Sequence, residues 1–198
     1  MEENNGTADL SVVVTEQTAG SMTLRYQLSN RTAVPIYAFD TILRFSDIGN
    51  TYVDEFGAYV FRAEGGIVRL VRGMVAPPMT VSVNRRPPPV ALPIQAGGNK
   101  TGTIKLALPL SEINPYFQSQ VCKQEDTVPV NAFRLQVGWV EQRPEIAIER
   151  FVIGEFTLLR LRGGWGQPLQ RTATADVAVN GIRVCPHVGP FDRPLLQK

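Results

Sequence analysis

At 198 residues and 21.8 kDa, the chain is long enough to bury a substantial core, and an all-β chain of this length commonly forms one domain. Hydrophobic residues make up 43% and charged residues 19%, a globular balance that excludes disordered and fibrous classes. A formal net charge of +2 predicts no nucleic-acid partner, and no run of about 18 apolar residues is present to span a membrane.

The N-terminus, Met1-Glu2-Glu3-Asn4-Asn5, is acidic and polar, unlike a secretory signal. A cytoplasmic protein is the default expectation, or an exported one if Met1 was added to a trimmed chain. Leu10, Val12 and Val14 predict an opening strand, and a turn at Ala19-Gly20 returns the chain into a second. There Met22, Leu24, Tyr26 and Leu28 share one face and Thr23, Arg25 and Gln27 the other, the period-two pattern of a half-buried strand. Continued through Leu28-Ser29-Asn30 to Ile36-Tyr37, this opening resembles in architecture the early strands of immunoglobulin-like sandwiches, although the Cys…Trp…Cys arrangement of true immunoglobulin domains is missing.

Tyr59 to Ala63 and Ile67 to Val71 predict a hairpin through Glu64-Gly65-Gly66, whose glycines supply positive φ. From Gly73 to Gly98 the chain carries Pro77-Pro78, Pro87-Pro88-Pro89 and Pro93, which predicts a long crossing connection or a protruding edge segment. Ile104, Leu106, Leu108 and Leu110 alternate, as do Phe133, Leu135, Val137 and Trp139 opposite Arg134 and Gln136. Short helical turns are expected near Ser111 to Asn114 and from Tyr116 to Gln124. Phe151 to Leu161 adds a further strand with a bulge at Gly154. Val177 and Val179 lead through Asn180-Gly181 into Ile182 and Val184, which predicts a hairpin from the strongest short-range turn signal. The longest stretch free of Gly and Pro, Ser21 to Val34, itself alternates, so long helices are nearly excluded. The expected fold is an all-β, immunoglobulin-like two-sheet antiparallel sandwich with a long Pro-rich connection. It forms a single domain over residues 1–198, with its core at about 9–185 and an irregular tail over 186–198.

His187 is the only histidine, which removes most acid–base and nucleophile–base constellations. Cys185-Pro186-His187 offers two metal-ligand types without a second pair, and Asp47, Asn50 and Asp54 miss the calcium-loop spacing. Glu141, Glu145, Glu149 and Glu155 supply carboxylates for a glycosidase, yet alternation places Glu145 and Glu149 more simply on the solvent face of a strand. Phosphate-cradling glycine loops are absent. The expectation is therefore no catalytic residue, no cofactor and no metal. Cys122 and Cys185 either close a disulfide, worth about 4 kcal/mol across so long a loop, or stay reduced and buried. Asn5-Gly6-Thr7, Asn30-Arg31-Thr32 and Asn99-Lys100-Thr101 are glycosylation sequons in form.

Two segments favour recognition. Glycines on both sides of Trp165 predict a loop that displays the indole beside Arg162, and Arg85-Arg86 flank the proline cluster. The leading expectation is a non-catalytic binding or interaction module that meets a protein or glycan partner through Trp165, Arg162, Arg85 and Arg86. The alternatives are a protease-inhibitor or chaperone-like module using an exposed 74–92 segment, and a metal- or carboxylate-dependent hydrolase. No pattern in the sequence specifies the oligomeric state.

Overall fold

The computed structural model describes residues 7–46, 50–62, 64–75, 88, 90–116, 124–162 and 170–185. They are nearly all β, arranged in several sheets whose ladders are antiparallel except for two parallel pairs in the largest, with short 3-10 turns at Glu64–Gly66 and Gln124–Asp126. No helix is long and apolar enough to cross a membrane.

Strands β1 (Ala8–Gln17), β2 (Ser21–Asn30) and β9 (Asn99–Ala107) form a three-stranded sheet with β2 in the middle. Alternation does the work expected of it: Met22, Leu24, Tyr26 and Leu28 are buried, while Ser21, Arg25 and Gln27 are exposed. At the end of β2, Asn30 is fully buried and its Nδ2 donates to the carbonyls of Val34, Ile94 and Gln95. That sequon asparagine is a structural tie between connections.

The larger sheet has nine strands. Its main order is β10 (Leu110–Ser111), β14 (Arg171–Cys185), β11 (Val128–Glu141), β3 (Ile36–Ala38), β8 (Val90–Ile94), β13 (Phe156–Leu161) and β12 (Ile148–Ile153). β11 is its hub. One edge pairs antiparallel with β14; the other pairs parallel with β7 (Ile67–Arg72) over 132–137 and antiparallel with β3 over 139–141. β6 (Tyr59–Arg62) completes the sheet beyond β7, and β4 (Ile42–Phe45) pairs separately with β5 (Thr51–Asp54). Leu24, Leu28 and Ile104 from the small sheet join Phe133, Leu135 and Leu70 from the large one in a single apolar cluster, so the main core lies between the two layers. Burying side chains of this size contributes roughly 1.5–3 kcal/mol each.

Several local expectations need correction. The alternation from Ile104 to Leu110 does not mark one strand, because β9 ends at Ala107 and Leu110–Ser111 pairs parallel with β14 in the other sheet. Pro109 lies at the crossing, where a residue without N–H costs the ladder nothing. Asn180-Gly181 is not a hairpin turn: β14 runs unbroken through it, and the register against β11 jumps from Ala132–Ala178 to Val130–Ile182. Gly181 has φ +70, but no described non-glycine residue has positive φ, so Asn180 lacks the conformation that a type I′ turn requires. The dipeptide makes a bulge, and its Asn180 carbonyl accepts from Gln17 Nε2 at 3.0 Å.

Gly154 shows the reverse exchange. Ile153 pairs with Phe156, so Gly154-Glu155 is the two-residue turn of the β12–β13 hairpin, with Gly154 at φ +56. The segment Ser111 to Asn114 is extended rather than helical, and Ile113 bridges to Val60. The Pro-rich stretch is not connection throughout, since Val90–Ile94 is an interior strand. Pro93 is tolerated there because β13 pairs with β8 only at Val90 and Ala91, leaving Pro93 a neighbour on one side. Cys185 is disulfide-bonded, and the one other cysteine, Cys122, lies outside the described residues.

Candidate functional site

The chain leaves β7 at Gly73 and crosses the face of β11 at Gly138. A Cβ on Gly138 would stand 2.5 Å from Gln170 Oε1 and 3.2 Å from Gly73 Cα, while one on Gly73 would stand 3.3 Å from the Gly138 nitrogen. Two facing glycines thus open a slot for the Gln170 amide. Met74 N–H donates to Gln170 Oε1 at 2.8 Å, and Gln170 Nε2 donates back to Met74 O at 3.2 Å. A planar side-chain amide carries one acceptor and a donor group side by side, and here it serves Met74 as a neighbouring strand would.

This clasp ties Met74, two residues before segment 76–87, to Gln170, the residue after segment 163–169. The remaining two flanks also meet. Val90 pairs with Arg160 and Ala91 with Leu159 in antiparallel register, so Pro88 and Arg162 leave the same end of the β8–β13 pair. Met74, Ala91 and Leu161 pack in one apolar cluster with Tyr37, Phe39 and Val140 on the face of the large sheet turned away from the main core. The flank of a third segment, 117–123, joins them, for the Tyr116 hydroxyl donates to Val75 O.

Arginines stand on the opposite face of the same strands: Glu149 and Arg160 share the parity of Phe151 and Leu158, and Glu141 that of Trp139, whereas Ile148, Leu161 and Val140 face the patch. Glu149 accepts from Arg162 Nε at 2.8 Å and from Arg160, whose guanidinium lies 5.0 Å from the Phe151 ring centroid. These hydrogen bonds, Arg162 first and Arg160 second, hold the Glu149 carboxyl below its usual range. A matching triad joins Glu141 to Arg171 at 2.9 Å and Arg143 at 2.8 Å. Each triad sets two guanidinium groups against one carboxylate and keeps a surplus positive charge. The apolar residues of the cluster are buried, so what the neighbourhood offers at its surface is the arginines, which suit charge-assisted hydrogen bonds.

Of the residues singled out from sequence, Arg162 is part of this arrangement and stays 69% exposed while bonded to Glu149. Trp165, Arg85, Arg86, Cys122 and His187 lie outside the described residues. The 74–92 segment is not exposed at its ends: Met74, Val75 and Pro88 are half-buried, and Val90 and Ala91 are buried as strand residues. Glu141 and Glu149 are each held between arginines rather than facing each other. Among the described residues, no group of three or more His, Cys, Asp or Glu side chains converges on a metal position.

Sequence reading missed the most heavily bonded charge among the described residues. Arg72, 2% exposed, lies between the two layers with Asp40 and Tyr26. Its guanidinium donates to the carbonyls of Gly57 (2.9 Å), Asp40 (2.6 Å), Glu55 (2.6 Å) and Thr103 (3.0 Å), and to Tyr26 Oη at 2.6 Å. The Tyr26 hydroxyl donates in turn to the Asp40 carboxylate. Burial pushes the Asp40 carboxyl up, with Arg72 opposing, and pushes the Tyr26 phenol far up. Gly102 makes room for this phenol, since a Cβ there would stand 2.1 Å from Tyr26 Oη. The signal was available: Val68, Leu70 and Arg72 share the inward parity of β7, and an arginine at an inward position demands partners. Sealed from solvent, this cluster joins layers and offers nothing to a ligand.

Compared with known protein families, curated proteins and solved structures, the chain has no match.

Proposed function

We propose that the protein is a non-catalytic binding module, an immunoglobulin-like sandwich that meets a protein or glycan partner through segments 76–87 and 163–169. One observation carries this reading: the four flanks of those segments are gathered around one apolar patch, by the Met74–Gln170 clasp on one side and the Val90–Arg160 pairing on the other. Segments rooted together on a rigid sheet are placed to act jointly, the principle by which sandwich domains present recognition loops. Arg162 beside Glu149, with Trp165, Arg85 and Arg86 in the segments themselves, then provides stacking and charge-assisted contacts.

The test is capture of partners from a lysate and on a glycan array by wild type, Trp165→Ala and Arg86→Ala. Each substitution is expected to weaken capture of the same partner roughly tenfold or more, the range of an interface anchor. Unchanged capture by both variants refutes the reading. A protease-inhibitor role draws support from one fact, that Met74 and Val90 fix both ends of the intervening segment, which lowers the entropy lost on entering a cleft. Cleavage within 76–87 by a protease panel, without inhibition, dismisses it.

A further inference from the structure

β12 closes one end of the large sheet, so among the described residues one of its edges has no hydrogen-bonded strand beside it. Its register identifies the backbone groups on that edge. Arg162 N–H donates to Ala147 O at 2.8 Å, which makes 147–162 a hydrogen-bonded pair. Antiparallel ladders bond at alternate residues, so Glu149, Phe151 and Ile153 bond inward to β13, while Ile148, Arg150 and Val152 turn N–H and C=O outward. No other described residue pairs with those outward groups. The edge at β9 is defended better: it carries Lys100 and Lys105, and the Lys105 N–H is spent on Phe56 O at 2.9 Å. β12 has no proline and no register break.

The outward residues also have a distinct chemistry. Val152 is 59% exposed, more than any other large hydrophobic side chain described. Arg150 reaches only the Thr157 hydroxyl, at 3.4 Å, and forms no ion pair with a described carboxylate, although Arg160 and Arg162 on the same hairpin share Glu149. We infer that this edge accepts an extended segment of a partner protein by strand addition, with an acidic residue opposite Arg150 and an apolar residue opposite Val152. Main-chain hydrogen bonds hold such a strand, and the alternate side chains select it.

A second copy of this chain fits less well. Two antiparallel β12 strands related by a two-fold axis bring residues of equal parity together, because opposed side chains must share a face. Arg150 then meets Ile148, Arg150 or Val152 of the other copy and never Glu149, which points to the opposite face. A heterologous strand has no such restriction and supplies the missing carboxylate. This inference does not rest on segments 76–87 and 163–169.

The test uses the full chain, ¹⁵N-labelled, with the capped peptide Thr-Val-Thr-Glu-Thr-Val-Thr, its counterpart with lysine at the centre, and a version with alternate amides N-methylated. The glutamate peptide is expected to shift and protect the amides of Ile148, Arg150 and Val152. The lysine peptide binds roughly tenfold more weakly, as loss of a charge-assisted contact implies, and N-methylation abolishes binding. Arg150→Glu reverses the preference between the two peptides; Arg150→Gln, which changes only an exposed side chain, levels it. Equal binding of both peptides, protection at another edge, no binding at millimolar peptide, or concentration-dependent pairing of β12 with itself overturns the inference.

Discussion

Replacing Arg72 with methionine tests whether the buried guanidinium holds the layers together. Removing one partner of a buried ion pair costs about 3–5 kcal/mol, because the other charge is left without compensation. Asp40 is that charge, and the Gly57, Glu55 and Thr103 carbonyls lose their donor as well, which places the expected loss toward the upper end. With a urea dependence of about 2 kcal/mol per molar, the unfolding midpoint falls by roughly 1.5–2.5 M. Urea titration followed by circular dichroism measures it. The double variant Arg72→Met, Asp40→Asn removes both charges and loses less than the sum of the single changes. The pH dependence has a definite sign. Burial already raises the folded-state carboxyl of Asp40, and losing Arg72 raises it further. The variant's stability is therefore greatest below the unfolded carboxylate range and falls as pH rises through the folded value, so the deficit against wild type is larger at neutral pH than near pH 4. A midpoint change below roughly 0.5 M, or a deficit that shrinks toward neutral pH, refutes the argument.

Two further substitutions probe the site. Gly138→Ala drives a Cβ into the Gln170 amide and opens the clasp; it is expected to cost about 1–3 kcal/mol and to speed proteolysis between residues 75 and 88, and unchanged digestion kinetics count against the clasp. Glu149→Gln removes a carboxylate whose folded-state value is depressed by Arg162 and Arg160. Its stabilisation is present above the ordinary glutamate range and lost as pH falls through the folded value, so wild type and variant melt apart at neutral pH and converge in acid.

What was legible in the sequence was whatever a single strand decides for itself. The inward faces of β2 and β11 follow from period two, and both proved buried residue by residue. Glycine was legible as a conformational need but not as a place in the topology. Gly154 and Gly181 both hold positive φ, yet one turns a hairpin and the other relieves a bulge inside a continuous strand. The choice depends on which strand lies opposite, and no local pattern carries that. The same limit hid the clasp, since Met74 and Gln170 stand 96 residues apart and neither has a local partner that announces the other. Arg162 was found because its Gly-rich neighbourhood is a local signal; Glu149, its partner, was read only as part of a solvent face.

The central position of β11 also constrains the order of assembly. Without residues 128–141, the large sheet falls into pieces that share no pairing: β6 with β7, β3 with β8 and the β12–β13 hairpin, and β10 with β14. On a nascent chain, the strands before residue 128 can pair only among themselves, their apolar faces waiting for a template that follows them in the sequence. Pairings this distant in sequence form slowly. The interval before β11 emerges is thus the stage at which chaperone capture and aggregation compete with folding.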